Sequence, residues 1–169
     1  MTPGKTRRQV IQLISGGLVL TAGTPATVLA KPSPRVLDWA DLSPTGEAVL
    51  LPPVVHSGPG AGQPQGEFQS VPELDAQLVR IPGFIIPLEF DDLDVVEFIL
   101  APYKGACIHV PAPPPNQLVH VRTDDPFPSA KLIRPVWVTG ILQTLKTETG
   151  VAATGYSMRA SQIDLYRRD

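Results

Sequence analysis

Proline decides what this chain can fold into. From Gln77 onward, short apolar segments are interrupted at Pro82, Pro87, Pro102, Pro111, Pro113, Pro114, Pro115, Pro126, Pro128 and Pro135. A proline inside a helix removes a donor and clashes with the preceding turn, at a cost of about 3 kcal/mol. Long helices are therefore excluded over most of this region, whereas strands accept proline at edges, ends and bulges. The apolar pattern predicts strands over residues 78–88 (interrupted by Pro82 and Gly83), 95–100, 106–110, 117–121, 135–142 and 156–166. In the fifth of these, Val136, Val138 and Leu142 face one way and Trp137 and Ile141 the other. A bend is expected in the last near Ala160 and Ser161. Asp91-Asp92-Leu93-Asp94 reads as the start of a short helical turn capped by a carboxylate, in preference to a calcium loop, since the spacing of an EF-hand is absent. The fold class expected is all-β with minor α content. The architecture is a small, OB-like, partly open Greek-key barrel of five or six short strands.

The N-terminal side reads differently. Lys5, Arg7 and Arg8 precede a mostly apolar stretch over residues 10–20, and Val28-Leu29-Ala30 offers a cut after Ala30. Residues 1–30 are read as a cleavable export signal, with Thr6-Arg7-Arg8-Gln9-Val10-Ile11 resembling a twin-arginine address. The run is too short and too glycine-rich for a bilayer span, so no transmembrane anchor is expected in the mature chain. Residues 31–75 form a Pro/Gly-rich arm, in which residues 36–42 are expected to dock one turn on the domain and His56 to be solvated. Residues 76–169 are the barrel domain. Without the signal, 11 basic residues face 16 acidic ones, a net charge of −5. Phosphate-directed nucleic-acid binding needs a basic surface and is excluded.

The chemistry concentrates in Gly105-Ala106-Cys107-Ile108-His109-Val110-Pro111, which holds the only cysteine and one of three histidines. Residues two apart on an extended segment share a face. If residues 106–110 and 117–121 form a hairpin with Val110 opposite Gln117, Cys107 stands opposite His120. Cys107, His109 and His120 would then share a face, as three ligands of a zinc site with one open position. A one-residue slip removes His120 from that face. Other readings of the same residues remain open: Cys107 and His109 as packing residues in a structural or interaction module, or Cys107 as an activated thiol.

Several strings carry a resemblance. Arg80-Ile81-Pro82-Gly83-Phe84-Ile85-Ile86-Pro87-Leu88-Glu89, Phe98-Ile99-Leu100-Ala101-Pro102-Tyr103, the Cys-x-His-x-Pro string and Pro135-Val136-Trp137-Val138-Thr139-Gly140 are similar to a family of exported bacterial proteins, domain of unknown function 3299. Trp39-Ala40-Asp41-Leu42-Ser43-Pro44 resembles its opening. The resemblance implies a periplasmic accessory protein, sometimes a lipoprotein, encoded beside transport components in metal-responsive operons. This chain departs from the lipoprotein members in lacking a lipid-attachment cysteine. The expectation is an exported, soluble, non-enzymatic binding protein that handles zinc, or next copper, through Cys107, His109 and His120 alongside an envelope transport system.

Overall fold

One long strand carries two partnerships, and that closes the barrel. The computed structural model describes residues 32–47, 68–106 and 113–167. The strands are β1 (Arg35–Val36), β2 (Gln77–Asp91), β3 (Asp94–Ala101), β4 (Val119–Pro128), β5 (Val136–Gln143), β6 (Thr147–Glu148), β7 (Ala153–Thr154) and β8 (Tyr156–Leu165). The first half of β2 pairs antiparallel with β5, from Gln77 opposite Leu142 to Gly83 opposite Val136. Its second half pairs antiparallel with β3, from Phe84 opposite Ala101 to Asp91 opposite Asp94. The changeover falls at Pro82-Gly83. A Cβ on Gly83 would lie 2.8 Å from the carbonyl oxygen of Ala101, so only glycine lets the strands approach this closely at the corner.

The ring runs β2-β3-β4-β8-β5 and returns to β2, giving a closed, mixed five-stranded barrel with β1 as an extra strand beside β2. Counting the barrel strands alone in chain order, the neighbours read 1-2-3-5-4, and the β4–β8 pair is parallel. The small all-β barrel of short strands expected from the sequence is found, and it is closed where a partly open one was expected. The bend expected in the last strand is a bulge. Thr139 pairs with Gln162 and Gly140 with Ala160, leaving Ser161 as the extra residue.

Alternation fills the interior. Val79, Ile81, Phe98, Leu100, Val119, Val121, Val136, Val138, Leu142, Tyr156 and Met158 are buried in one cluster. The predicted facing of β5 holds, since Val136, Val138 and Leu142 are buried while Ile141 is exposed. The arm supplies a plug. Asp38 caps a 3-10 turn over Trp39–Leu42 in a reciprocal capping box with Asp41, and Leu37, Trp39 and Leu42 join the core. Trp39 Nε1 donates to the carbonyl oxygen of Pro82 at 2.8 Å. The docked turn expected over residues 36–42 is thus present. Tyr156 fastens it, donating to the Leu42 carbonyl at 2.9 Å and accepting from the Val71 amide at 2.7 Å.

Two expectations are corrected. Asp91-Asp92-Leu93-Asp94 starts no helical turn. Asp91 and Asp94 are paired, and Asp92 and Leu93 form a two-residue hairpin loop with Asp92 at φ 56°. Aspartate tolerates that left-handed conformation, and the strong pairing on both sides outweighs a local capping preference. The second correction concerns β4. Residues 115–117 form a 3-10 turn and pairing starts at Val119. His120 stands opposite Ile99 of β3 on one side and Ser157 of β8 on the other. Both edges of β4 are occupied there, so the proposed hairpin between residues 106–110 and 117–121 does not form at His120. Non-local pairing, invisible to a local pattern, takes the edge. Among the described residues no helix is long and apolar enough to cross a membrane. The export signal, His56, Cys107 and His109 lie outside the described residues.

Candidate functional site

Opposed residues share a face, so the register fixes which side chains meet outside the barrel. With Phe98, Val121 and Met158 inside, the outer face of β3, β4, β8 and β5 shows two rows. One contains Ile99, His120, Ser157 and Gln143, and the other Glu97, Arg122, Arg159 and Ile141. An outer face of a small barrel is normally wet, yet His120 is only 7% exposed and Ser157 only 8%.

His120 and Glu97 are the centre of this face. Nε2 of His120 lies 2.7 Å from Oε1 of Glu97, and Nε of Arg122 donates to Oε2 at 2.8 Å. Burial opposes the charge of Glu97. Hydrogen bonds from His120 and Arg122, and their charges, outweigh it and hold the carboxyl below its ordinary value. An ionised Glu97 needs a donor opposite it, so Nε2 of His120 carries a proton and Nδ1 is the nitrogen that points away from the pair. An imidazole oriented by a carboxylate in this way is the usual arrangement of a histidine ligand. Asp124, further along β4, is held by Arg159 at 2.6 Å.

An open groove of about 640 Å³ runs over this face, lined by His120, Arg122, Gln143, Leu145, Ser157 and Arg159 among others. The Ser157 hydroxyl is buried and has no hydrogen-bond partner among the described residues. Beside the groove, a second apolar cluster contains Ile86, Ile99, Ala101, Ala106, Leu118 and Ala152. Ala106, the residue before Cys107, thus packs in the same cluster as Ile99, the cross-strand neighbour of His120.

Of the three residues expected to bind metal, then, His120 is described, buried and oriented. Cys107 and His109 lie outside the described residues. Among the described residues no group of three His, Cys, Asp or Glu side chains converges on one point. The sequence reading missed Glu97, Arg122 and Ser157. Glu97 carried a signal, being a lone carboxylate in the apolar run Val95-Val96-Glu97-Phe98-Ile99. Ser157 carried none, because its meaning comes from a strand 37 positions away.

Comparison with known proteins agrees on the family. The model of the family described as protein of unknown function (DUF3299) matches residues 39–165. Among solved structures, the chain is similar to a DUF3299 family protein of Pseudomonas aeruginosa PAO1, with 38% identity and a TM-score of 0.73. That match covers 82% of this chain and 99% of the other. Comparison with the curated proteins gave no match. A family model that spans the barrel from the docked arm to the end of β8, together with this structural likeness, places the chain in the DUF3299 family of proteins of unknown function.

Proposed function

We propose that this is an exported cell-envelope accessory protein that binds a transition metal, zinc first and copper next, with His120 as one ligand and Cys107 and His109 as the others, in the service of an envelope transport system. The observation that carries the reading is the His120–Glu97 pair, 2.7 Å apart and mostly buried on an outer strand face. It leaves Nδ1 as the free ligand nitrogen, in the orientation that a carboxylate imposes on metal-bound histidines. Support also comes from Ala106, the residue before Cys107, which belongs to the same apolar cluster as Ile99, the cross-strand neighbour of His120. Thiolate and imidazole together favour zinc and copper over calcium or magnesium.

The test is metal analysis of protein purified from the periplasm, followed by titration of the stripped protein with zinc and with Cu(I). The expected result is one metal per chain and a raised thermal midpoint, with His120→Ala weakening affinity at least about tenfold. No bound metal, and a midpoint unmoved by micromolar zinc or Cu(I), overturns it. The competing reading treats Cys107 and His109 as packing residues of an interaction module. Under it, Cys107→Ala lowers stability without changing metal content.

A further inference from the structure

A second concavity, of about 830 Å³, lies at the far end of β8. Eight residues separate Ser157 from Leu165, roughly 25 Å along a strand, so this concavity is distinct from the His120 face. Its size is that of a small-ligand pocket. Its walls are aromatic and aliphatic. Trp137 and Tyr166 stack with ring centroids 5.3 Å apart, and Ile163 and Leu165 add apolar surface.

Charge distinguishes it. Arg80, Lys131 and Arg167 line the concavity with Asp164 as the single carboxylate. Asp164 is already engaged, accepting from Gln162 Nε2 at 3.0 and 3.1 Å, and it touches Arg80 only at 3.4 Å. Arg80 lies over the Trp137 ring at 5.0 Å, and its Nε is buried without a hydrogen-bond partner among the described residues. Among the described residues, neither Lys131 nor Arg167 has a carboxylate within ion-pair distance. A pocket with three cations and one committed anion stands out on a mature chain of net charge −5.

We propose that this concavity binds a small organic oxyanion: a carboxylate or phosphate group attached to an apolar body. The anion would sit between Lys131, Arg167 and the half-exposed guanidinium end of Arg80. The apolar body would lie on Trp137, Tyr166 and the aliphatic wall. Guanidinium groups suit either oxyanion, and tryptophan in the wall makes binding visible in fluorescence. The inference is independent of the metal reading, since it uses no residue of that site.

The experiment titrates the full-length mature protein with octanoate, octyl phosphate, 1-octanol and inorganic phosphate, following tryptophan fluorescence and calorimetry. Expected is saturable, one-to-one binding of octanoate or octyl phosphate, at least tenfold tighter than 1-octanol or inorganic phosphate. Binding of octanoate alone identifies a carboxylate site, and binding of octyl phosphate alone a phosphate site. Lys131→Ala and Arg167→Ala should each weaken binding about threefold and the double variant about tenfold, as for exposed charges. Both side chains are on the surface, so an unchanged thermal midpoint verifies folding. Equal affinity for octanoate and 1-octanol, absence of saturation with both anions, or an unaffected double variant overturns the proposal.

Discussion

Glu97 holds His120 and Arg122 at once, with one carboxylate oxygen for each partner, 2.7 Å from His120 Nε2 and 2.8 Å from Arg122 Nε. The pair links β3 to β4 on the outside of the barrel, where Glu97 stands opposite Arg122 and His120 opposite Ile99. Because the carboxyl is held below its ordinary value, the link has a pH signature. The folded state favours the charged form more than the unfolded chain does. Its contribution is complete above the unfolded value, roughly pH 4.3, and is lost as pH falls from there through the folded value. Glu97→Gln should cost about 1–2 kcal/mol at pH 7. The gap to the parent protein should narrow as pH drops below that range. Thermal unfolding of both proteins across pH 3–7 checks this, and a constant gap contradicts it.

Tyr156 ties the arm to the barrel through two hydrogen bonds with one hydroxyl. Burial raises the phenol, against the hydrogen bond from the Val71 amide, so the neutral form persists over the ordinary pH range. Tyr156→Phe keeps the ring and strands two backbone groups. A loss of about 1–3 kcal/mol is expected. Hydrogen exchange gives the specific readout: protection of the Val71 amide should fall far more than that of residues within β5.

Gly140 sits at the bulge between β5 and β8. A Cβ there would meet the carbonyl oxygen of Arg159 and lie 2.9 Å from Met158 Cγ. The first of these neighbours is backbone and cannot swing away. Gly140→Ala should therefore destabilise by about 3 kcal/mol, measured by denaturant titration. Gly150→Ala, with nothing within 4 Å of the added carbon, is the matched control and should stay within about 0.5 kcal/mol of the parent.

Ser157 presents the opposite sign. Its buried hydroxyl has no partner among the described residues, and an unsatisfied hydroxyl costs about 1–3 kcal/mol. Ser157→Ala should leave stability unchanged or raise it by up to about 1 kcal/mol. A clear drop in the unfolding midpoint would mean that the hydroxyl is hydrogen-bonded in solution.

Much of the barrel was legible because alternation is local. The inward set of β5 could be read from Val136, Val138 and Leu142, and the Ser161 bulge from a break in pattern near the same place. The docked turn was legible as the apolar patch of residues 36–42, while its capping box between Asp38 and Asp41 came from the structure. The site was less legible. The chemistry of His120 is visible in the sequence, but its neighbours are not, since the nearest apolar segment in sequence is not its partner in space.

Composition, proline spacing and alternation by themselves determined that this protein is a small all-β barrel with an arm seated on it. Each acts over a few residues and needs no knowledge of distant strands. Only the tertiary structure decided that β4 lies between β3 and β8. Parallel pairing of β4 with β8 joins segments separated by more than 30 residues, and loop closure over such a distance leaves no mark in a local pattern. That pairing set His120 beside Ser157 and occupied the edge that the Cys-x-His string was expected to take, while the antiparallel pairing of β3 with β4 brought Glu97 onto the same face as His120.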